Sequence, residues 1–396
     1  MFGISKRNKK IIYLDHASTT PVDSAVMHAM KPFWNSNFYN PSALYDQGVE
    51  AKKVLELSRS SVASYVRSRP EEIFFTGSGT ESNNIAIQGV VNAYKEKGIS
   101  RPHIITSTIE HPATLETCKY LESRGVEVTY IQPDSTGRIN PQDVHDALKD
   151  HTVLISLIHT QNEIGTIQPT KDVERIVNQY KKAQGRIESD APHMHVDASQ
   201  SPNYIRCTKD KLGAQLITID GSKIYGPKGV AALYVDRRVP IKPLMYGGRQ
   251  ESALRPGTEN IPLIVGLAKA LEVTESFRKD ETMRMNSLRD YCIELLKKDV
   301  PKASMNGGSK HRIPNNINIC IPGINAEYAV IQLSQKGILC SLMTACKSQG
   351  DEMYSYVIEE IHPKCKKSSL RFTFGRSTRK SDIRFLVESL AHMTQK

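Results

Sequence analysis

Between residues 11 and about 265 the chain alternates short β-rich apolar runs with longer stretches whose apolar residues recur every three to four positions. IIYL (11–14), EIFF (72–75), HIITS (103–107), EVTYI (127–131), TVLISLI (152–158), HMHVD (193–197), QLITI (215–219) and VAALYV (230–235) read as strands. Ala51–Val66 and Pro112–Arg124 read as amphipathic helices. Such alternation predicts an α/β fold on a mostly parallel sheet. A long helical stretch from about Ile264 to Lys298 breaks it, and a shorter α+β segment follows. The simplest partition is a large α/β domain over 18–262 and a smaller α+β domain made of 1–17 and 263–396. In open α/β sheets ligands sit beyond the carboxyl ends of the strands, so chemistry is sought just after each strand.

Composition narrows the class. At 396 residues, 39% apolar and 24% charged, the chain has ordinary soluble-globular usage and length enough to bury a core without metal or disulfides. No run of about 18 apolar residues offers a membrane span. The start, MFGISKRNKK, lacks a long apolar core of the kind an export signal needs, so a cytoplasmic protein is expected. Seven cysteines (118, 207, 292, 320, 340, 346, 365) show no CxxC and no zinc-type pairing with histidine. No disulfide framework and no metal ligand is expected; one thiol could serve as a nucleophile. The net charge is +11, and residues 364–380 carry seven Lys/Arg and no acid. That run reads either as a solvated face or as a docking patch for an acidic protein. With no aromatic interleaving beside it, nucleic acid is not the expected partner.

Three strand ends carry candidate chemistry. After EIFF comes Thr76-Gly77-Ser78-Gly79-Thr80-Glu81, a glycine turn into a helix whose free N–H groups suit an anion, with capping-box spacing between Ser78 and Glu81. An ordinary capped turn has the same pattern. HMHVD ends at Asp197, where a carboxylate needs a positive partner or a helix to cap; a protonated pyridine nitrogen is one such partner. QLITI leads into Asp220-Gly221-Ser222-Lys223, and a lysine just past a buried strand suits Schiff-base chemistry. Anion turn, strand-end Asp and strand-end Lys, in that order on one sheet, together describe a pyridoxal phosphate (PLP) site better than any one of them does.

The motifs YLDHASTTP (13–21), NPSALY (40–45), FTGSGTESNN (75–84), EHPATL (110–115), NEIGTIQP (162–169), HVDASQS (195–201), GSKIYGPKG (221–229), RPGTEN (255–260), TAC (344–346) and SSLRFTFGRST (368–378) are colinear over nearly the whole chain. In them the sequence resembles the class V, fold type I PLP enzymes, and among these the NifS/IscS-type cysteine desulfurases. The resemblance implies a PLP-binding large domain and a small domain carrying a nucleophile loop at about 340–352. It implies that Lys223 holds PLP as a Schiff base and moves the substrate Cα proton, that Asp197 faces the pyridinium nitrogen, and that Gln200 bonds the phenolic oxygen. His111 would stack on the ring and handle protons. Gly79, Thr80 and Ser222 would hold the phosphate, with Thr258 arriving from the partner of a homodimer. Asn40, Asn162 and Arg371 would grip the carboxylate of L-cysteine. Cys346 would take the sulfur as a persulfide for a sulfur-acceptor protein, an iron–sulfur scaffold or tRNA-thiolation enzyme. Selenocysteine lyase, class V aminotransferase and a non-catalytic scaffold are the alternatives.

Three departures stand out. Where the family has Ser-Gly-His before its lysine, this chain has Asp220-Gly221-Ser222; Asp220 would repel a phosphate unless turned away or paired with a cation. The small residues before the nucleophile are replaced by Ser341-Leu342-Met343-Thr344-Ala345, and Tyr45 stands where a histidine is common.

Overall fold

The computed structural model describes residues 10–342 and 354–394. Twelve strands are present among them: β1 (Ile12–Tyr13), β2 (Ile73–Thr76), β3 (His103–Ser107), β4 (Glu127–Ile131), β5 (Thr152–Ile158), β6 (His193–Asp197), β7 (Leu216–Asp220), β8 (Ala231–Val235), β9 (Ser304–Met305), β10 (Asn316–Cys320), β11 (Ile338–Leu339) and β12 (Ser369–Thr373). Seven form one sheet in the order β2-β8-β7-β6-β5-β3-β4. Only β8 runs against the rest, so the sheet is mixed and mostly parallel, as the alternation predicts. β5 and β6 are buried along their whole length, which is why they read as continuous apolar runs. The histidines inside β6 are tolerated because they are bonded: His195 contacts Ser156 Oγ at 2.8 Å and Thr218 Oγ1 at 3.0 Å.

Helices cover both faces. Gly79–Glu96 and Pro112–Glu122 lay Ile87, Val90 and Leu121 on one side, with Leu154 and Leu233 of the sheet. Asp46–Val66 packs Leu55 and Val62 on the other. The helix Ile261–Asp299 is 39 residues long, roughly 58 Å at ~1.5 Å per residue. Its early turns (Ile264, Leu267, Leu271) belong to the core on the sheet, while Met285, Leu288, Cys292 and Leu296 belong to a second core with Ile317, Ile319, Leu370 and Phe372. That second core rests on the antiparallel sheet β12-β10-β9, and β1 pairs with β11 beside it. No helix among the described residues is long and apolar enough to cross a membrane.

Two expectations are corrected. Cys320 and Cys365 form a disulfide, although their spacing suggested none. The antiparallel pairing of β10 with β12 sets Ser369 opposite Cys320, and the turn just before β12 carries Cys365 back over the strand end. His362 joins them there, so a cysteine–histidine grouping does exist. The basic run 364–380 is not one surface patch. β12 passes through its middle with Arg371 only 1% exposed, Arg376 pairs with Asp23 at 2.7 Å and Lys366 with Glu359 at 2.6 Å. Lys364, Lys367, Arg379 and Lys380 remain exposed at its two ends.

Candidate active site

Five strand ends meet at one cavity of about 190 Å³, lined among others by Ser18, Gly79, Thr80, Asn83, His111, Asn162, Asp197, Gln200, Asp220, Lys223 and Arg371. β2 supplies the turn before the helix Gly79–Glu96. Ser78 caps that helix by accepting from the Glu81 N–H at 3.2 Å, while the Glu81 carboxylate turns back to the Gly77 N–H at 2.7 Å and to Arg255 Nε at 2.8 Å. β3 leads to His111, which caps the helix Pro112–Glu122: its Nδ1 accepts from the Ala113 N–H at 3.1 Å, leaving the proton on Nε2 in the neutral ring. Burial pushes the His111 pKa below its ordinary value; neighbouring Asp197 pulls it up and Lys223 pulls it further down. The ring is therefore uncharged at neutral pH. Beside it, fully buried Glu110 braces the loop, accepting from Ser107 Oγ and from the Ile158 N–H, each at 2.6 Å, and burial raises its pKa to about 8.

β6 ends at Asp197, whose carboxylate is held from three sides: Asn83 Nδ2 at 2.7 Å on Oδ2, and Ser199 Oγ at 2.6 Å and N–H at 3.0 Å on Oδ1. β7 leads through Asp220 to the single helical turn Gly221–Lys223, and Lys223 Nζ donates to the Ser18 carbonyl. Gln200 spends one amide N–H on the Ala17 carbonyl at 2.9 Å. Arg371, from the middle of β12, crosses from the second core. Its Nη2 bonds Asp15 and Ser18 Oγ, each at 2.8 Å, and its Nη1 bonds the Asn162 carbonyl at 3.1 Å.

Of the residues expected at the site, Gly79, Thr80, His111, Asn162, Asp197, Gln200, Lys223 and Arg371 share this cavity. Ser222 lies beside it, its hydroxyl donating to Asp220 at 2.6 Å. Thr258 is exposed, on the rim of a separate hollow with Gly77 and Arg255, and Asn40 is exposed with its Oδ1 turned to the Ser42 N–H. Cys346 lies outside the described residues. Sequence reasoning passed over Asn83, Ser199, Glu110, Asp15 and Ser18. Asn83 had a signal: it falls one helical turn after Gly79, on the face that the glycine turn aims at the site.

The wall suits pyridoxal phosphate. An amine, a carboxylate and an uncharged imidazole line one small cavity, and two buried polar atoms on residues of that wall, Asn83 Oδ1 and Arg371 Nε, have no partner among the described residues. At the anion turn the chain brings a carboxylate of its own. Asp220 is not turned away: its Oδ2 accepts from the Gly79 N–H at 3.0 Å, and its Oδ1 from the Ser222 N–H at 2.8 Å and Oγ at 2.6 Å. Gly79 is suited to the place, because a Cβ there would sit 3.0 Å from Asp220 Oδ2.

Comparison with known proteins agrees with this geometry. Residues 12–386 match the family model described as Aminotransferase class-V. A protein named cysteine desulfurase IscS from Dictyoglomus turgidum is 39% identical over 390 residues, covering 98% of this chain and 95% of the relative. One of the same name from Methanosarcina thermophila is 38% identical, covering 100% and 94%. Among solved structures, a NifS-like protein superposes with a TM-score of 0.88 at 30% identity, covering 98% of this chain and 100% of that one. A structure titled SspA in complex with cysteine gives 0.75 at 31%, covering 91% and 98%. The chain belongs to the class-V aminotransferase family, among its PLP-dependent cysteine desulfurases.

Proposed function

We propose that this protein removes sulfur from L-cysteine, releases L-alanine and holds the sulfur as a persulfide on Cys346 for delivery to an acceptor protein in the cytoplasm. The observation that carries this reading is the shared cavity of Lys223, Asp197 and His111. Bound there, PLP supplies an aldehyde that exchanges amines and a ring that draws electrons from the substrate Cα. Lys223 would hold that aldehyde, and its amine would carry the substrate Cα proton. Asp197, oriented by three donors, is the partner a protonated ring nitrogen requires. Neutral His111 presents Nε2–H to the cavity and passes a proton to and from the reacting sulfur. Arg371 is anchored by Asp15, Ser18 and Asn162, and the substrate carboxylate takes what remains of its fork.

The other six thiols support Cys346 as nucleophile. Cys320 and Cys365 are joined to each other, and burial pushes Cys118, Cys207, Cys292 and Cys340 up to about 12, far from the thiolate a sulfur transfer needs. A homodimer is supported by the exposed position of Thr258, which a second copy would bring to the site. It is supported also by exposed Trp34, Phe38, Leu44 and Tyr246. The test is incubation with labelled L-cysteine. Alanine and a mass shift on Cys346 are expected, and Cys346→Ser should bind cysteine yet release no sulfur. A keto-acid product, or full sulfur release by that variant, refutes the reading.

A further inference from the structure

Away from the cavity, three side chains of metal-ligating type meet at the end of the small antiparallel sheet. Cys320 closes β10, Cys365 lies in the turn before β12, and His362 follows the helix Tyr356–Ile361. Their donor atoms lie within 4.8 Å of one another, with His362 Nε2 3.6 Å from Cys365 Sγ. Both cysteines are buried and His362 is half-buried.

The ring is oriented from behind. His362 Nδ1 faces Asn306 Oδ1 at 3.2 Å. The Asn306 amide cannot be flipped, because its Nδ2 donates to Asn318 Oδ1 at 2.8 Å and to Ser369 Oγ at 2.9 Å. Asn318 is fixed in turn, its Nδ2 donating to the Glu163 carbonyl at 3.0 Å. Nδ1 therefore carries the proton and the Nε2 lone pair faces the sulfurs, the tautomer that an outer acceptor imposes on a metal-bound imidazole. Zinc bonds of ~2.3 Å to sulfur and ~2.0 Å to nitrogen at a tetrahedral angle place those two atoms roughly 3.5 Å apart, close to the 3.6 Å between Cys365 Sγ and His362 Nε2. Charge also balances: two thiolates and a neutral imidazole cancel a divalent cation in a pocket walled by Ile109, Ile164, Val357 and Ile358.

We infer that Cys320, Cys365 and His362 form a site for a thiophilic divalent cation of the zinc class in the reduced chain, and that the disulfide is the closed form of this site. Opening it needs an external dithiol, which gives two electrons and two protons to the Cys320–Cys365 bond and leaves as its own disulfide. The cation then displaces both thiol protons and takes His362 Nε2 as third ligand, with water completing four.

The holoenzyme, reduced and freed of reductant, is titrated with cobalt and then zinc. One equivalent of cobalt with thiolate and tetrahedral bands, displaced by zinc, is expected; the oxidised protein should take up none. His362→Ala keeps both sulfurs and the disulfide, and should weaken zinc by more than about 100-fold. Asn306→Ala should weaken it roughly 10- to 100-fold. Cys346→Ser should keep the bands. The inference is overturned if the reduced protein gives no thiolate bands, or if Cys346→Ser abolishes them while Cys320→Ser and His362→Ala do not.

Discussion

The Asp220 carboxylate should set how tightly the cofactor is held. It accepts from the Gly79 N–H, the Ser222 N–H and the Ser222 hydroxyl, which are the donors that a phosphate at this turn would use. A phosphate accepting from the same Gly79 N–H lies within about 4 Å of that carboxylate unless the side chain swings away. Two unit charges at 4 Å repel by ~4 kcal/mol at an effective dielectric near 20. Swinging away instead gives up hydrogen bonds to a charged group, each about 1.5–3 kcal/mol. Giving up the Gly79 bond alone costs about 1.5–3 kcal/mol and staying in place ~4, so the bound state loses roughly 1.5–4 kcal/mol, about 10- to 1,000-fold in affinity. Asp220→Ser should recover that factor and Asp220→Asn part of it, because the amide keeps an acceptor but sheds the charge. The assay is titration of cofactor-free protein with PLP, followed by the absorbance of the bound cofactor, alongside a titration with pyridoxal. Since the carboxylate opposes the phosphate directly and reaches His111 only as the least of the influences on that ring, the variant should tighten PLP far more than pyridoxal. Equal affinity of Asp220→Ser and the parent for PLP, or an equal gain for both ligands, refutes the reasoning.

Three further outcomes follow from the same geometry. Asn83→Ala removes the donor on Asp197 Oδ2 and should lower kcat roughly 10- to 100-fold, on about 1.5–3 kcal/mol for a bond to a charged group; steady-state alanine release with an unchanged rate would dismiss Asn83 as a positioning residue. Burial holds His103, His159 and His195 to pKa values of about 4 and His193 to about 3. Because the folded values are depressed, the unfolded chain takes up more protons below about pH 6.5, and stability present above that pH is lost on acidification. Glu110, raised to about 8, opposes this with a single proton, so urea midpoints should still fall from pH 6.5 towards pH 4; a flat profile contradicts the burial argument. Lys364→Glu with Lys367→Glu should weaken binding of an acidic acceptor and leave alanine release intact, measured by titrating acceptor protein; unchanged binding returns these lysines to a solvated face.

What could be read in advance divides along a physical line. Asp197 and Lys223 were legible because a buried strand run ends at, or just before, a residue whose charge has no business in a core. His111 and the glycine turn were legible from their place in motifs that lie a few residues from such ends. The groups that hold these side chains were not, since Asn83 on Asp197 and Ser107 on Glu110 depend on how a helix or a loop is seated on the sheet. The disulfide depends on more still: 45 residues separate its sulfurs, and only the β10–β12 register brings them together.

The basic run shows where a charge count misleads and what replaces it. Counting charges from 364 to 380 sees a patch, whereas the alternation Leu370, Phe372, Phe374 sees a strand with one face in a core. Alternation alone would then turn Arg371 and Thr373 to solvent, yet both are buried. A guanidinium that is 1% exposed is costly unless paired, and Arg371 meets Asp15 at 2.8 Å, Ser18 and a backbone carbonyl. A strand buried on both faces with an arginine on the polar one needs an anion or carbonyl supply from a second unit of structure. The segment around Asp15–Ser18 and the loop after β5 provide it, and they are the same segments that wall the cavity. The misfit between pattern and burial at Arg371 thus points to the site by a route independent of any strand-end motif.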